Sequence, residues 1–286
     1  AISNQGLELE LEADILRHTA VKWKMKFNAS RNWNRFEKSA DGFDFMEQVI
    51  GKPLHQIKVF KTDGFYNSLD EVPVYYLANK EVQPLYSGIT AGIYLPGSRR
   101  LVDLNGDGRI TEDADVYFAE SPLPLAHGGF INQLRWKNFD LNIFFNYSLG
   151  RHIVKVYDDV SMTVNGSAKP LFVDVNDVKI WTEAGSKADY PKSQVYAYLM
   201  NQTSGRYDCD IENVSFLRLK QLTLGYNVGE RVLNKLKISG ARIFVTGENL
   251  FLLTNYSGLD PEVVDMYSGM DDFNYYPLAR KISLGL

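Results

Sequence analysis

The chain has 286 residues, of which 45% are apolar and 13% aromatic, and its formal net charge is −4. This composition is typical of a folded protein and excludes wholesale disorder, and the lack of a basic field argues against nucleic acid as the main partner. The single cysteine, Cys209, excludes an internal disulfide framework. No apolar run approaches the ~18 residues of a transmembrane helix, which leaves the weaker signal of transmembrane strands to consider.

Two segments with alternating apolar residues open the chain, at residues 7–15 and 21–29. Their period of two predicts β-strands with one apolar face. The polar positions are acidic in the first strand and basic in the second, at Glu8, Glu10, Glu12 and Asp14 and at Lys22, Lys24 and Lys26. Strands that cross a bilayer need ~9–11 residues, and strands of globular sheets usually have ~5–6, so these lengths favour a membrane-spanning sheet.

The charges decide which face of such a sheet would contact lipid. A lysine at the bilayer midplane costs roughly 2–4 kcal/mol, so the charged face is expected to line a wet lumen, where the acidic and basic rows would form cross-strand pairs. The apolar face would contact lipid, with Trp23 and Trp136 as candidates for an aromatic girdle. A solvated sheet face of a soluble protein is the simpler alternative for the charged rows.

Five more segments complete a predicted set of seven strands. They lie at residues 128–137, 139–148, 214–226, 240–248 and 278–286, and residues 229–237 predict a turn or two of helix. The connections alternate between short ones, at 18–20 and 138, and long ones, at 35–127, 149–213 and 249–277; the connection at 227–239 is intermediate. Outer-membrane barrels have short turns on one side and long loops on the other. A soluble β-sandwich also alternates apolar with polar residues and is the competing architecture.

One loop motif has the pattern of a calcium-binding site. In "DLNGDGRITEDAD", oxygen-bearing side chains occupy positions one, three and five, and a glycine occupies position six. We expect a structural Ca²⁺ held by Asp103, Asn105, Asp107, the carbonyl of Arg109, Thr111 and Asp115. Position twelve is Ala114, so the closing carboxylate needs a shift of one residue. The alternative is an Asp/Asn/Gly turn without an ion.

Motifs of enzymes are missing from the sequence. It contains no HExxH, GxSxG or P-loop, and no GxGxxG after a strand. The four histidines are scattered at turns and loop ends, and no spaced pair of carboxylates stands out. We therefore expect a protein without catalytic residues.

Several stretches, taken in order, resemble one family. They include "DLNGDGRI", "RWKNFDLNIFFNYSLGRHI", "SFLRLKQLTLGYNV", "ENLFLLTNYSGLDPEV" and "YYPLARKISLGL". The chain resembles the C-terminal part of a SusC/RagA-type TonB-dependent outer-membrane transporter over nearly all of its length. The resemblance implies an all-β fold, the last seven strands of a large plugged barrel. It also implies TonB-dependent import of oligosaccharides or peptides, together with a SusD-like lipoprotein lid.

The resemblance and the topology together predict what the chain requires. The whole of residues 1–286 would be barrel, while the plug, the TonB-contacting segment and the earlier strands would lie on a preceding N-terminal part. Seven strands cannot close a bacterial single-chain barrel, which has an even strand number, and open edges are not satisfied in lipid. Ala1 would then lie in an extracellular loop, and the chain is expected to be a fragment of a longer transporter.

Aromatic residues of the long loops are the candidate contacts with substrate or lid. Five of them carry this prediction: Tyr75, Tyr76, Tyr94, Trp181 and Tyr196. Ordinary loop packing is the alternative role for each, and the sequence does not distinguish sugar from peptide substrates. The alternative for the whole protein is a soluble, secreted, calcium-stabilised β-protein that binds glycans.

Overall fold

The computed structural model describes residues 1–43, 49–88, 92–155, 179–192, 206–265, 269–271 and 275–286. These residues contain nineteen strands, the helix α1 (Glu230–Leu236) and two short 3-10 helices, Leu69–Glu71 and Asp208–Asp210. In chain order the strands are β1 (Ile2–Leu16), β2 (Val21–Phe36), β3 (Lys58–Phe60), β4 (Thr62–Phe65), β5 (Val74–Tyr76), β6 (Val82–Pro84), β7 (Tyr86–Ser87), β8 (Gly92–Ile93), β9 (Arg99–Leu101), β10 (Arg109–Ile110), β11 (Val116–Phe118), β12 (Ala126–Trp136), β13 (Phe139–Leu149), β14 (His152–Lys155), β15 (Ile211–Asn213), β16 (Phe216–Asn227), β17 (Arg242–Thr254), β18 (Met270–Asp271) and β19 (Lys281–Gly285).

Seven long strands form one antiparallel sheet in the order β1-β2-β12-β13-β16-β17-β19. Every neighbour in the sheet is also the next long strand along the chain, so the sheet is a meander. The connections β1–β2 and β12–β13 are short, the β16–β17 connection is intermediate and contains α1, and all three lie at one end. The three long connections leave from the opposite end, which confirms the alternation expected from the sequence.

The two faces of the sheet differ as the alternation predicted. One face carries apolar side chains that are strongly exposed, for example Leu7 (67%), Leu11 (52%) and Leu284 (80%). Near the short turns this face ends in an aromatic row, in which the ring centroids of Trp136 and Phe139 are 6.3 Å apart. An exposed apolar surface spanning seven strands is far larger than the patches of soluble monomers, so the face needs an apolar environment.

The hydrophobic core lies in the long connections and not against the sheet. One buried cluster contains Phe60, Tyr66, Leu85, Tyr94 and Ile110, and two smaller clusters centre on Ile153 and on Val59 with Val154. The twelve short strands, β3–β11, β14, β15 and β18, make small sheets among themselves. The alternation predicted no strands in these long connections, yet they form small sheets and bury their apolar side chains against one another.

The bounds of several strands differ from the predicted ones. β2 continues to Phe36, past the predicted end at residue 29, and β17 continues to Thr254 through an irregularity where Asn249 has a φ of 53°. The last strand, β19, is shorter than the predicted 278–286. The helix predicted over 229–237 is present as α1. Among the described residues, no helix is both long and apolar enough to span a membrane.

Candidate functional site

The polar face of the sheet carries a limited set of ion pairs. Glu12 of β1 accepts bonds from Lys24 and, at 2.7 Å, from Lys26 of β2. The strand register places Glu8 opposite Ser30 and Glu10 opposite Asn28. The predicted cross-strand pairs are therefore wrong for Glu8 and Glu10. The short turn places the lysines of β2 opposite only the last acidic residues of β1, those nearest the turn.

An amide-lined cavity of about 690 Å³ lies on the polar face, at the end from which the long connections leave. Asn4, Asn32, Asn34 and Asn146 contribute to its wall from three strands. Among the described residues, the side chains of Asn4, Asn32 and Asn146 form no hydrogen bond, whereas Asn34 accepts one from the Leu54 amide at 2.7 Å. Each free amide offers an acceptor and two donors to a ligand.

Two local features shape this cavity. A methyl group on Gly6 would collide with the side-chain oxygen of Asn32, so glycine is what lets the Asn32 amide lie across β1. His127 also lines the cavity, and its Nδ1 is buried without a hydrogen-bond partner among the described residues. The wall thus combines apolar surface, from Leu123, Pro124 and Phe216, with polar atoms that a ligand can satisfy.

The charged groups at the cavity are already neutralised or satisfied. The guanidinium of Arg151 is buried and donates to the carbonyls of Pro122 (3.0 Å), Pro261 (3.0 Å) and Val264 (2.6 Å). Burial lowers the pKa of Arg151. Glu262 is paired with Lys220 at 2.6 Å and lies 2.7 Å from Arg218 Nε, in an ion pair without hydrogen-bond alignment. The cavity therefore favours an uncharged, hydrogen-bonding ligand.

The predicted calcium loop is a closed turn in the structure. The carboxylate of Asp103 accepts the amides of Gly106 (2.7 Å) and Gly108 (2.8 Å), and both glycines have positive φ. Asp107 accepts the Arg109 amide at 2.8 Å. Asp115 closes the loop, because it accepts the amides of Leu104 at its start and Thr111 near its end; the side chain of Asn105 donates to Asp107 at 3.0 Å.

The carboxylates of this loop are in an unusual electrostatic environment. Asp115 is fully buried, and its pKa is raised by burial and by the nearby charges of Asp103 and Asp107, although hydrogen bonds oppose the shift. Burial also acts to raise the pKa of Asp103, but hydrogen bonds from Gly108, Tyr75 and Gly106 outweigh it and lower that pKa. A divalent cation would relieve the repulsion among the three carboxylates.

The donor set of the loop fits a cation only in part. The described residues contain no group of three or more His, Cys, Asp or Glu side chains placed to hold a metal ion. A Ca²⁺ in this loop would therefore depend equally on the oxygens of Asn105, Arg109 and Thr111. Such neutral oxygens are ordinary ligands of Ca²⁺, which takes six to eight.

The predicted aromatic contacts fall into different environments. Tyr76 is 76% exposed, while Tyr94 and Trp181 are only 4% and 6% exposed. Both are buried in the loop body, which is the folded part that the long connections form. Tyr75 packs against Gly108, and burial, followed by its hydrogen bond to Asp103, raises its pKa to about 12. Tyr196 lies outside the described residues. Of the four predicted contacts that the structure describes, only Tyr76 has most of its surface exposed to a partner.

Sequence reasoning missed the amides of the cavity although a signal for them was present. Beyond residue 29 the outward positions of β2 are no longer all apolar, so the predicted strand ended there. The even positions nevertheless continue as Asn28, Ser30, Asn32 and Asn34. A row of amides in phase with the lysines would have extended the strand and located the site.

Comparison with known proteins identifies proteins of similar sequence. No family model matches the chain. It is 29% identical to "TonB-dependent receptor P3" of Formosa agariphila and 28% identical to "TonB-dependent receptor SusC" of Bacteroides thetaiotaomicron, in each case over the whole chain. The chain is a homologue of the TonB-dependent receptors. It spans 28% and 26% of the lengths of these two relatives.

A solved structure agrees with the sheet. The RagAB peptide transporter matches 99% of the chain with a TM-score of 0.64 at 20% identity, and the match covers 29% of the RagAB chain. At this identity the likeness shows the fold: the seven-stranded sheet of this TonB-dependent receptor homologue is part of a large β-barrel. The relatives are named as receptors and a transporter, which agrees with the expectation that the protein is not an enzyme.

Proposed function

We propose that the chain is the C-terminal part of the barrel of a transporter that imports oligosaccharides or peptides across the bacterial outer membrane. The observation that supports this most directly is the exposed apolar face of a seven-stranded meander whose long connections all leave from one end. Lipid would cover that face, and the polar face would line the lumen. The alternative, a soluble glycan-binding protein, would leave the same apolar face in water, at a cost that grows with its area.

The proposal includes the partners that such a barrel needs. An N-terminal part of the same transporter would supply the plug, the remaining strands and the contact with TonB. Strands β1 and β19 lie at the two edges of the sheet and would pair with those strands, since unpaired backbone groups are costly in lipid. A SusD-like lipoprotein would cover the long-loop end, where Tyr76 is exposed on β5.

We place substrate contacts in the amide-lined cavity. It lies on the lumen face below the loop body, and it offers free amides without an unpaired charge. Its volume falls in the range of ligand pockets, roughly 300–1,000 Å³. Hydroxyl groups of a sugar and amide groups of a peptide backbone would both be satisfied there.

Uptake by cells tests the transport function and the cavity together. The full-length transporter with Asn32→Ala and Asn146→Ala is expected to be inserted normally but to import its substrate roughly 5- to 150-fold less well at low concentration, because each of the two lost hydrogen bonds is worth about 0.5–1.5 kcal/mol. Gln133→Ala, on the lumen face near the short turns, serves as control. Unchanged uptake by the double variant would remove the cavity from the proposal, and a wild-type protein without uptake would contradict the function.

A Ca²⁺ ion in the Asp103–Asp115 loop is also part of the proposal, in a structural role. Tyr75 of β5 connects this loop to the hairpin of β5 and β6, because its ring packs on Gly108. A filled loop would therefore hold the hairpin that presents Tyr76.

A further inference from the structure

The outward face of β2 changes character near its end on the long-loop side. From Val21 to Ala29 the outward positions are Val21, Trp23, Met25, Phe27 and Ala29. The next three outward positions are Arg31, Trp33 and Arg35, and all three side chains are exposed. A tryptophan with one arginine on each side thus follows directly after the apolar row of β2, which would contact lipid.

The distance along the strand places this group at the membrane surface. Trp23 belongs to the aromatic end near the short turns, and Trp33 lies ten residues further along the same strand. At about 3.3 Å per residue this is roughly 33 Å of strand, and a tilt of about 35–45° reduces it to roughly 23–27 Å along the membrane normal. The apolar band of outer-membrane barrels is about 25 Å tall with aromatic girdles at both ends, so Trp33 lies at the second girdle.

The two guanidinium groups are available to an anion. Arg31 stacks over the ring of Trp33 at 5.4 Å, and Arg35 uses its Nε to donate to the Gly51 carbonyl at 2.9 Å. In the part of the chain that the structure describes, neither arginine forms an ion pair with a carboxylate. The nearby acid on this side, Glu37, accepts a hydrogen bond from Ser3 at 2.7 Å.

We propose that Arg31 and Arg35, with Trp33 between them, bind the phosphate group of an anionic lipid in the outer leaflet. Arginine suits this role because its planar guanidinium donates two parallel hydrogen bonds to a phosphate. A lipid is favoured over soluble phosphate because the site is continuous with the apolar row at Phe27 and Ala29, along which acyl chains would lie. The inference rests on the proposed location in the outer membrane.

Lipid titration of the purified full-length transporter tests the site. Phosphatidylglycerol is added to protein in a zwitterionic detergent, and bound lipid is counted by native mass spectrometry. Because each basic residue near a membrane surface is worth about 1 kcal/mol, the double variant Arg31→Gln/Arg35→Gln is expected to bind about tenfold or more weakly. The matched control is Arg17→Gln/Arg231→Gln, which removes two exposed arginines from the short-turn side and should bind as the wild type does.

Each outcome of this titration has a definite meaning. Equal binding by wild type and Arg31→Gln/Arg35→Gln would overturn the inference, as would an equal loss in the control variant. Displacement of the lipid by inorganic phosphate at a similar concentration would also overturn it, because the site would then bind the free anion. Failure of the proposed function is recognised separately, since the wild-type protein would then be absent from the outer-membrane fraction before any lipid is added.

Discussion

At the scale of single residues, two groups of charged side chains in the long connections can be tested by substitution. They are the Asp103–Asp115 loop and the ion pair of Lys155 with Glu212. Both lie outside the seven long strands. In the loop, Asp115 is buried beside two other carboxylates. In the pair, Glu212 of β15 holds Lys155 of β14 at 2.7 Å and accepts two hydrogen bonds from Ser257, so one carboxylate joins three loop segments.

The calcium loop yields a stability prediction. Ca²⁺ is expected to raise the thermal unfolding temperature of the full-length protein, since a ligand at 100 times its Kd adds about 2.7 kcal/mol to the stability of the folded state. Asp107→Asn keeps the side-chain shape but removes one ligand charge, and it should lose most of this gain. Glu112→Gln removes an exposed neighbouring acid and should keep it. An equal gain in both variants, or none in the wild type, would argue for an ion-free turn.

Glu212 yields a pH prediction. Burial acts to raise its pKa, but hydrogen bonds from Lys155 and Ser257 outweigh burial and lower the pKa below 4.5. A carboxyl group with a lowered pKa in the folded state stabilises it above the unfolded pKa, and this stability is lost as the pH falls through the folded pKa. Glu212→Gln should therefore be less stable than wild type near neutral pH, with a difference that closes in acid. Differential scanning calorimetry over this pH range is the measurement, and a gap that persists in acid would contradict the assignment.

At the scale of elements, the sequence predicted what depends on alternation and missed what depends on distant contacts. All seven long strands were located, because a period of two on a strand with one apolar face is visible in the chain itself. β2 was predicted too short because Arg31 and Arg35 interrupt its apolar row. The small strands of the loop body were missed because residues such as Phe60 and Tyr207 meet only in the fold.

The two faces of β1 yield a prediction at this scale. Leu9 lies on the apolar face of β1 near the middle of the strand, and Glu10 lies on the polar face. Leu9→Lys in the full-length transporter is expected to destabilise the inserted barrel by roughly 2–4 kcal/mol, the cost of lysine at the bilayer midplane. Glu10→Lys changes the neighbouring residue but keeps the charge in water, so its cost should be much smaller. Folding yield in urea with vesicles measures both, and similar losses would contradict the assigned faces.

At the scale of the whole molecule, the candidate site was less predictable than the barrel. The spacing of Asp103, Asn105 and Asp107 predicted a loop that Asp115 closes, and in the structure Asp115 accepts backbone amides from both ends of this loop; the Ca²⁺ itself stays a prediction. The cavity could not be predicted as a site, because Asn4, Asn32 and Asn146 lie on three strands and converge only through the register of the sheet. Exposure of Tyr76 and burial of Tyr94 likewise follow from loop packing that no local pattern encodes.

The central claim is that alternate residues of β1 face lipid and water, and spin labels on that strand test it most directly. Residues 7 to 14 are replaced by cysteine one at a time in full-length protein carrying Cys209→Ser, labelled and reconstituted in vesicles. Collision rates with oxygen, which concentrates in lipid, and with a water-soluble nickel complex are then measured. We predict higher oxygen accessibility at odd positions and higher nickel accessibility at even ones. Equal nickel accessibility at both sets would contradict a membrane-spanning barrel.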